Sequence, residues 1–450
     1  MRKHFGILLC GVVALCAAAC SEKAPEASIK KVIFPGDYPD PSIVRDGEDF
    51  YMTHSSFTYY PGLRVWHSTD LQNWEPISFG ITEEQDYSIF APEICKVGDK
   101  FYIYYPTSAG VNYVVYADDP HGPWSDPVLV EVNGIDPGHI YGEDGKQYVY
   151  VNGGLCAELT DDGLAAAGES KKLYDGWQYP EDWDVECFCL ESPKLFFKDG
   201  YYYLVSAEGG TAGPATSHMC AVARSKSALG PWENSPYNPL VHTYSSDEEW
   251  WSKGHGTVFD DADGNWYVVY HSYRNSFHTL GRTSIVESVV WTEDGWPVLY
   301  DDGTSFEESA EDSAQFAALR DAGNSLMWSY WAGGFDGAKL NTFIAPDKAY
   351  EMTAKFEVPE GGSGGLYLFY SADAYFGAQC SDAVFYLRIR NIDNTASIEK
   401  SLDGKEWTML EGGKDVSGYH HNNYGGFFSL RPSILSTEGV NVSEVTYNKL

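Results

Sequence analysis

Glu191-Ser-Pro-Lys-Leu-Phe-Phe-Lys-Asp-Gly200 runs directly into Tyr201-Tyr-Tyr-Leu204. Two short stretches of strand-forming residues flank an Asp-Gly pair, the pattern of a β-hairpin. The plan recurs. Asp40-Pro-Ser-Ile-Val-Arg-Asp-Gly47 precedes Asp49-Phe-Tyr-Met-Thr53, and Ala91-Pro-Glu-Ile-Cys-Lys-Val-Gly98 precedes Lys100-Phe-Tyr-Ile-Tyr104. Asp136-Pro-Gly-His-Ile-Tyr-Gly-Glu-Asp-Gly145 precedes Gln147-Tyr-Val-Tyr150, and Gly254-His-Gly-Thr-Val-Phe-Asp-Asp-Ala-Asp-Gly264 precedes Trp266-Tyr-Val-Val-Tyr270. Five copies at a spacing of roughly 50 to 60 residues, each followed by further short strands, predict the blades of a five-bladed β-propeller.

The innermost strand of a blade leads into the axis of the ring. The residues that open the repeats, Asp40, Glu93, Asp136, Glu191 and His255, are therefore expected to converge at one end of the central channel. The propeller is read over residues 29–305, with an acidic, Ala-rich connector over 306–323 that suits a short helix. Over 324–450 the strand pattern returns without the repeat. Tyr350 to Val358 alternates, Leu366–Tyr370, Ala383–Arg390 and Ala396–Leu402 read as strands, and Asp403-Gly404 reads as a hairpin turn. The fold class is all-β, a propeller followed by a jelly-roll-like β-sandwich.

A formal net charge of −35 argues against nucleic-acid binding, which needs a basic footprint. Aromatic residues make up 15% of the chain, with 33 Tyr and 14 Trp. Strands favour such residues, and their faces also stack on sugar rings. Six cysteines lie beyond the first 20 residues: Cys95, Cys156, Cys187, Cys189, Cys220 and Cys380. Their spacing fits no zinc motif. Cys187-Phe-Cys189 has the alternation of a strand, too close for a relaxed disulfide, so these cysteines read as small buried residues with at most one disulfide among them.

Asp40, Asp136 and Glu191 come from three blades and the same inward place in the repeat. An Asp before Pro often only caps a turn, but three unpaired carboxylates facing one pocket would be costly without a function. Glycoside cleavage uses such a set: one carboxyl protonated, one ionised, and a third whose charge keeps the acid protonated.

Gly36-Asp-Tyr-Pro-Asp-Pro-Ser-Ile-Val-Arg45 resembles the opening motif of glycoside hydrolase family 43. Ile135-Asp-Pro-Gly-His139, and Glu191-Ser-Pro-Lys-Leu195 with Ala207-Glu-Gly-Gly-Thr211, resemble its second and third signatures. The resemblance implies an inverting exo-glycosidase of xylosidase or arabinofuranosidase type, acting on plant polysaccharide or its oligosaccharides. Asp40 would be general base, Asp136 pKa modulator and Glu191 general acid; the nearby Asp37, Asp86 and Glu93 receive no role. It further implies that Phe57 and Phe90 wall the sugar pocket and that Arg282 reaches the bound sugar. No cofactor is needed for the chemistry, but a structural Ca²⁺ on the propeller axis, with His255 close by, is expected. The stretches Asp415 to Asn422 and Gly425 to Pro432 resemble the β-sandwich appended to some members. Such a module packs on the propeller, and it either lends a loop to the rim of the site or binds glycan. The competing readings are a non-catalytic glycan-binding propeller, which would have no reason to keep all three carboxylates, a related enzyme acting on a sugar such as galactofuranose, and a retaining enzyme of the fructan type. The last carries Asn-Asp-Pro where this chain has Tyr38-Pro-Asp40-Pro41.

Residues 1–20 read as an export signal, with a basic start at Arg2 and Lys3 and an apolar run from Phe5 to Ala19 too short to span a bilayer. Ala17-Ala-Ala-Cys20-Ser21 resembles a bacterial lipoprotein cleavage site. The expectation is a periplasmic or cell-surface lipoprotein tethered through Cys20 and a linker over 21–28, with plain secretion as the alternative.

Overall fold

The computed structural model describes residues 28–301, 306 and 316–450. The leader, Cys20 and most of the expected connector lie outside them. Of the connector, residues 318–320 form a 3₁₀ turn.

Each hairpin of the repeat is the inner half of a four-stranded antiparallel blade. The first blade is Ser42–Asp46, Asp49–Thr53, Gly62–Ser68 and Glu75–Ile81, and the second is Glu93–Val97, Lys100–Pro106, Val111–Ala117 and Val128–Asn133. The third is Gly138–Tyr141, Gln147–Val151, Leu155–Glu158 and Lys171–Lys172. The fourth is Glu191–Lys198, Tyr201–Glu208, Met219–Ser225 and Glu233–Asn234, extended by Val241–His242. The fifth takes Trp250–Asp260, Trp266–Arg274 and Arg282–Trp291 from its own stretch and its outer strand, Lys30–Phe34, from near the beginning of the chain. The innermost strands touch in sequence order, and the last touches the first, so the five blades form a closed ring. Closure rests on the pairing of Lys31 with Val286 and of Val32 with Ile285. Tyr203, Val205, Val268, Tyr270, Ile285 and Trp296 are among the side chains buried between the blades.

The second domain is a sandwich of two antiparallel sheets. One has the order Thr408–Asp415, Thr395–Ser401, Val384–Ile392, Ala349–Glu357, Asn441–Lys449. The other has the order Ala374–Cys380, Gly364–Ser371, Arg431–Ser436, Lys339–Phe343, Trp328–Trp331, and it ends on Tyr59–Tyr60 of the propeller. Tyr350, Met352, Ala354 and Phe356 alternate inward along their strand, against Phe343, Leu366 and Leu368 of the facing sheet. The two-residue turn Asp393-Asn394, with φ of 48° and 66°, joins two strands of the first sheet. Asn394 then docks on the propeller, accepting from Thr279 Oγ1 at 2.6 Å and donating to Ser276 O at 3.0 Å.

The strand reading of Cys187-Phe-Cys189 is overturned, and the one disulfide allowed among the cysteines is found there. Cys187 and Cys189 form a disulfide with Cα atoms 5.3 Å apart, and both are half-buried. The segment is not a strand. Cys189 has a φ of 42°, so the alternation that would send the two side chains to opposite faces is broken. Cys156 and Cys220 are buried free thiols.

The two domains share a buried ion pair. Arg431 Nη2 lies 2.9 Å from Asp37 Oδ2, with side-chain exposures of 5% and 1%, and the Arg431 guanidinium lies 3.5 Å from the Tyr59 ring centroid. Removing one member of such a pair leaves the other charge buried and unpaired, at a cost of about 3–5 kcal/mol. Arg431→Met is expected to lower the melting temperature sharply, and Asp37→Asn added to it to restore much of the loss. An Arg431→Met protein that melts like the wild type would show that the pair does not join the domains.

Candidate active site

The repeat positions its opening residues by backbone strain as much as by pairing. Asp40, Asp136 and His255 have φ values of 57°, 57° and 55°, a left-handed conformation that non-glycine residues adopt only where the surroundings hold it. Asp40 and Asp136 thereby turn into a cavity of about 150 Å³ at the end of the propeller axis, together with Glu191, Arg282 and His255.

Of the five repeat-opening residues, Glu93 alone does not line the cavity, and Glu191 reaches it from a different level than Asp40. The hairpins close on Asp46–Asp49, Val97–Lys100 and Lys198–Tyr201. Counted back from those pairs, Asp40 is level with Ala91 and with Ser192. Ala91 therefore lines the cavity in the second blade, and Glu93 falls into the layer beneath. There its Oε2 accepts from Lys194 Nζ at 2.7 Å and from Ser42 Oγ at 2.9 Å, while Lys194 also donates to the carbonyls of Pro92 and Pro137 at 2.8 and 3.1 Å. Glu191 stands one residue before the place of Asp40, and an irregularity in pairing between Glu191 and Lys194 lets it reach the same cavity. Ser192 takes the left-handed φ, 50°, instead.

The carboxylates sit in opposed environments. Burial alone would push Asp40 up, but the Arg282 guanidinium, with His255 and His271 beside it, outweighs burial and holds the carboxyl well below its usual range. Arg282 Nη1 donates to Asp40 Oδ1 at 2.9 Å and Nη2 to Oδ2 at 3.4 Å, and Ser55 Oγ donates to Oδ2 at 2.5 Å. Glu191 is pushed the other way. Burial raises it well above its usual value, and the charges of Asp136 and Asp40 raise it further. Asp136 is itself raised to about 7, by burial first and by Asp40 second.

Phe57 and Phe90 both line the cavity, with ring centroids 6.0 Å apart. Arg282 is placed there too, although its direct partner is Asp40. The wall contributed by Phe427 belongs to the β-sandwich: its ring is stacked on Phe57 at 6.4 Å, and the Arg282 guanidinium lies 5.1 Å from its centroid. The sandwich therefore lends a loop to the rim. Ser55 and His271 also escaped the sequence reading, since one hydroxyl and one core histidine carry no motif of their own. His255 is buried, with Nδ1 3.4 Å from Asp40 Oδ1 and 3.9 Å from Asp136 Oδ2, and its Nε2 meets no protein partner. The side-chain groups that converge around it are Asp40 with His271, and Glu191 with His218. Calcium takes six to eight oxygen ligands. Three imidazoles, a carboxylate already held by Arg282 and a second, Glu191, pushed toward its neutral form do not suit it as direct ligands, so no step below passes through a metal.

Residues 29–297 match the family model described as glycosyl hydrolases family 43. A xylosidase/arabinosidase of Butyrivibrio fibrisolvens is 37% identical over 296 residues, 59% of this chain and 55% of that protein. A non-reducing end alpha-L-arabinofuranosidase of Bacteroides ovatus is 33% identical over 301 residues, 62% of this chain and 54% of that protein. The chain spans about half the length of the curated relatives it matches. In fold, it is similar to the family 43 protein BlXynB of Bacillus licheniformis, with a TM-score of 0.77 at 23% identity over 94% of this chain and all of that one. The match runs through all five blades of the closed ring, and the chain belongs to glycosyl hydrolases family 43.

Proposed function

We propose that the protein is an inverting exo-glycosidase that releases terminal L-arabinofuranosyl or D-xylosyl units from plant cell-wall polysaccharides or their oligosaccharides. The observation that carries this reading is the divergence of the carboxylates: Asp40 held ionised by Arg282, and Glu191 held protonated beside Asp136. Two titratable groups pushed apart in one pocket are what acid and base catalysis at one bond requires. Asp40, fixed by Ser55 and Arg282, takes a proton from the attacking water. Glu191 delivers its proton to the leaving oxygen, and Asp136 keeps that proton in place until it is needed. Phe57, Phe90 and Phe427 close the cavity around one sugar ring, which favours cleavage at a chain end. The names of the relatives support the choice of sugars. The leader motif supports export with a lipid on Cys20, so that the membrane is met only through that anchor.

Asp40→Asn and Glu191→Gln are each expected to lower kcat/KM by about 10²- to 10⁴-fold on aryl xylosides or arabinofuranosides, the usual worth of one acid or base, with the melting temperature kept. Proton NMR of the first product should show the inverted anomer. Near-full activity in either variant, or a retained anomer, would sink the assignment.

Asp136→Asn removes the charge that holds Glu191 up, so the basic limb of the pH–rate profile should move to lower pH. An aryl glycoside with a good leaving group should lose less rate than a natural one. Stability should move in the opposite sense. A carboxyl raised to about 7 in the folded state from about 3.9 unfolded costs stability progressively as pH rises between those values. Asp136→Asn should therefore melt higher than wild type at pH 8 and equal to it near pH 4. An unmoved basic limb with equal losses on both substrates would make Asp136 a sugar-binding residue instead.

A further inference from the structure

The amide of the proposed base is held by a side chain that no motif points to. His271, on the strand Trp266–Arg274, is fully buried. The backbone N–H of Asp40 donates to His271 Nδ1 at 3.1 Å. The other ring nitrogen, Nε2, lies 3.1 Å from Thr211 Oγ1, and Thr211 lines the cavity from the fourth blade. Asp40 Oδ1 also lies 3.1 Å from Nδ1, but the backbone N–H can only donate and is the group whose hydrogen meets Nδ1, so Nδ1 is the acceptor. The ring proton is then on Nε2, where it is donated to the Thr211 hydroxyl. His218 lies parallel to this ring, with centroids 5.2 Å apart and planes 13° off, and holds its plane. Burial and the Arg282 charge keep the imidazole neutral, with its pKa lowered to about 4. An imidazolium would present a second donor to the Asp40 amide.

We propose that His271 is a positioning residue for the reaction: one neutral imidazole, protonated on Nε2, sets the backbone of the base on one side and the hydroxyl of the sugar-facing Thr211 on the other. This rests on the reading of Asp40 as the base. The ring ties the first blade to the fourth through the fifth. It holds Asp40 in its left-handed conformation, because the amide would otherwise be buried without an acceptor.

The two functions of the ring are separable by substitution. His271→Asn keeps an acceptor near the place of Nδ1 and loses the donor to Thr211, so KM should rise about tenfold, the worth of one hydrogen bond, with kcat little changed. His271→Gln keeps a donor near the place of Nε2 and leaves the Asp40 amide unanswered, so kcat should fall by about 10- to 100-fold, as expected for a misplaced reacting group, with KM little changed. Thr211→Val should raise KM in the wild type and add nothing in the His271→Asn background. Side-chain ¹⁵N NMR of the full-length protein at neutral pH, with the His271 signals identified by their loss in His271→Asn, should show a protonated Nε2 and a bare Nδ1. A proton on Nδ1 overturns the inference. So do kcat and KM that move together in both variants in step with the melting temperature, which is the behaviour of a merely structural core histidine. The tautomer is read without turnover, so an active Asp40→Asn would overturn the base assignment and not this reading of the ring.

Discussion

The closure of the ring is the constraint on which the rest of the structure depends. Lys30–Phe34 pairs with Arg282–Trp291, and this fastens the beginning of the first blade to the outer part of the fifth. Tyr38, two residues before Asp40, donates its N–H to Arg282 O at 3.0 Å, and Ser284 Oγ donates to Tyr38 O at 2.6 Å. Asp40 and Arg282 are thus brought side by side from positions far apart in the chain. Each would be costly to bury alone, and together they offset much of that cost. Without closure there is no guanidinium beside Asp40 to offset the burial that pushes its carboxyl up.

The site is a set of groups held in states they would not adopt in water. Asp40 stays charged although fully enclosed, whereas Asp136 and Glu191 are driven toward their neutral forms. Four of the cavity residues, Asp40, Phe57, Asp136 and His255, also have unfavourable backbone conformations. Strain and misplaced charge of this kind persist only where surrounding structure over-determines them. The layer beneath the pocket supplies that support: Lys194, Glu93 and Ser42 plug the channel with an ion pair and tie three inner strands together. The polar groups beneath the pocket are thereby paired with one another.

The β-sandwich is joined to the propeller on both sides of this site. Tyr59–Tyr60 extends one of its sheets, Arg431 neutralises Asp37 beside the first blade, and Phe427 completes the wall over Phe57. A cavity built by both domains couples their docking to its shape.

The period of the hairpins and the residues that open them were legible in the sequence. An Asp-Gly turn between aromatic strands has few alternatives, and five copies at a regular spacing can bury their faces only against one another. That determined the blade count, the inward direction of Asp40 and Asp136, and the family resemblance. The level of each residue along the axis was not legible: a one-residue irregularity in pairing, which leaves no mark on composition, put Glu191 into the pocket, and the regular register of the second hairpin put Ala91 there and Glu93 beneath it. The partners of Asp40 were not legible either. Ser55, His271 and Arg282 lie at unrelated distances along the chain, and only the folded ring sets a hydroxyl, an imidazole and a guanidinium within hydrogen-bond reach of one carboxylate and its amide. Local pattern specifies the strands, but the electrostatics of a buried charge are decided by whatever the closed ring places around it.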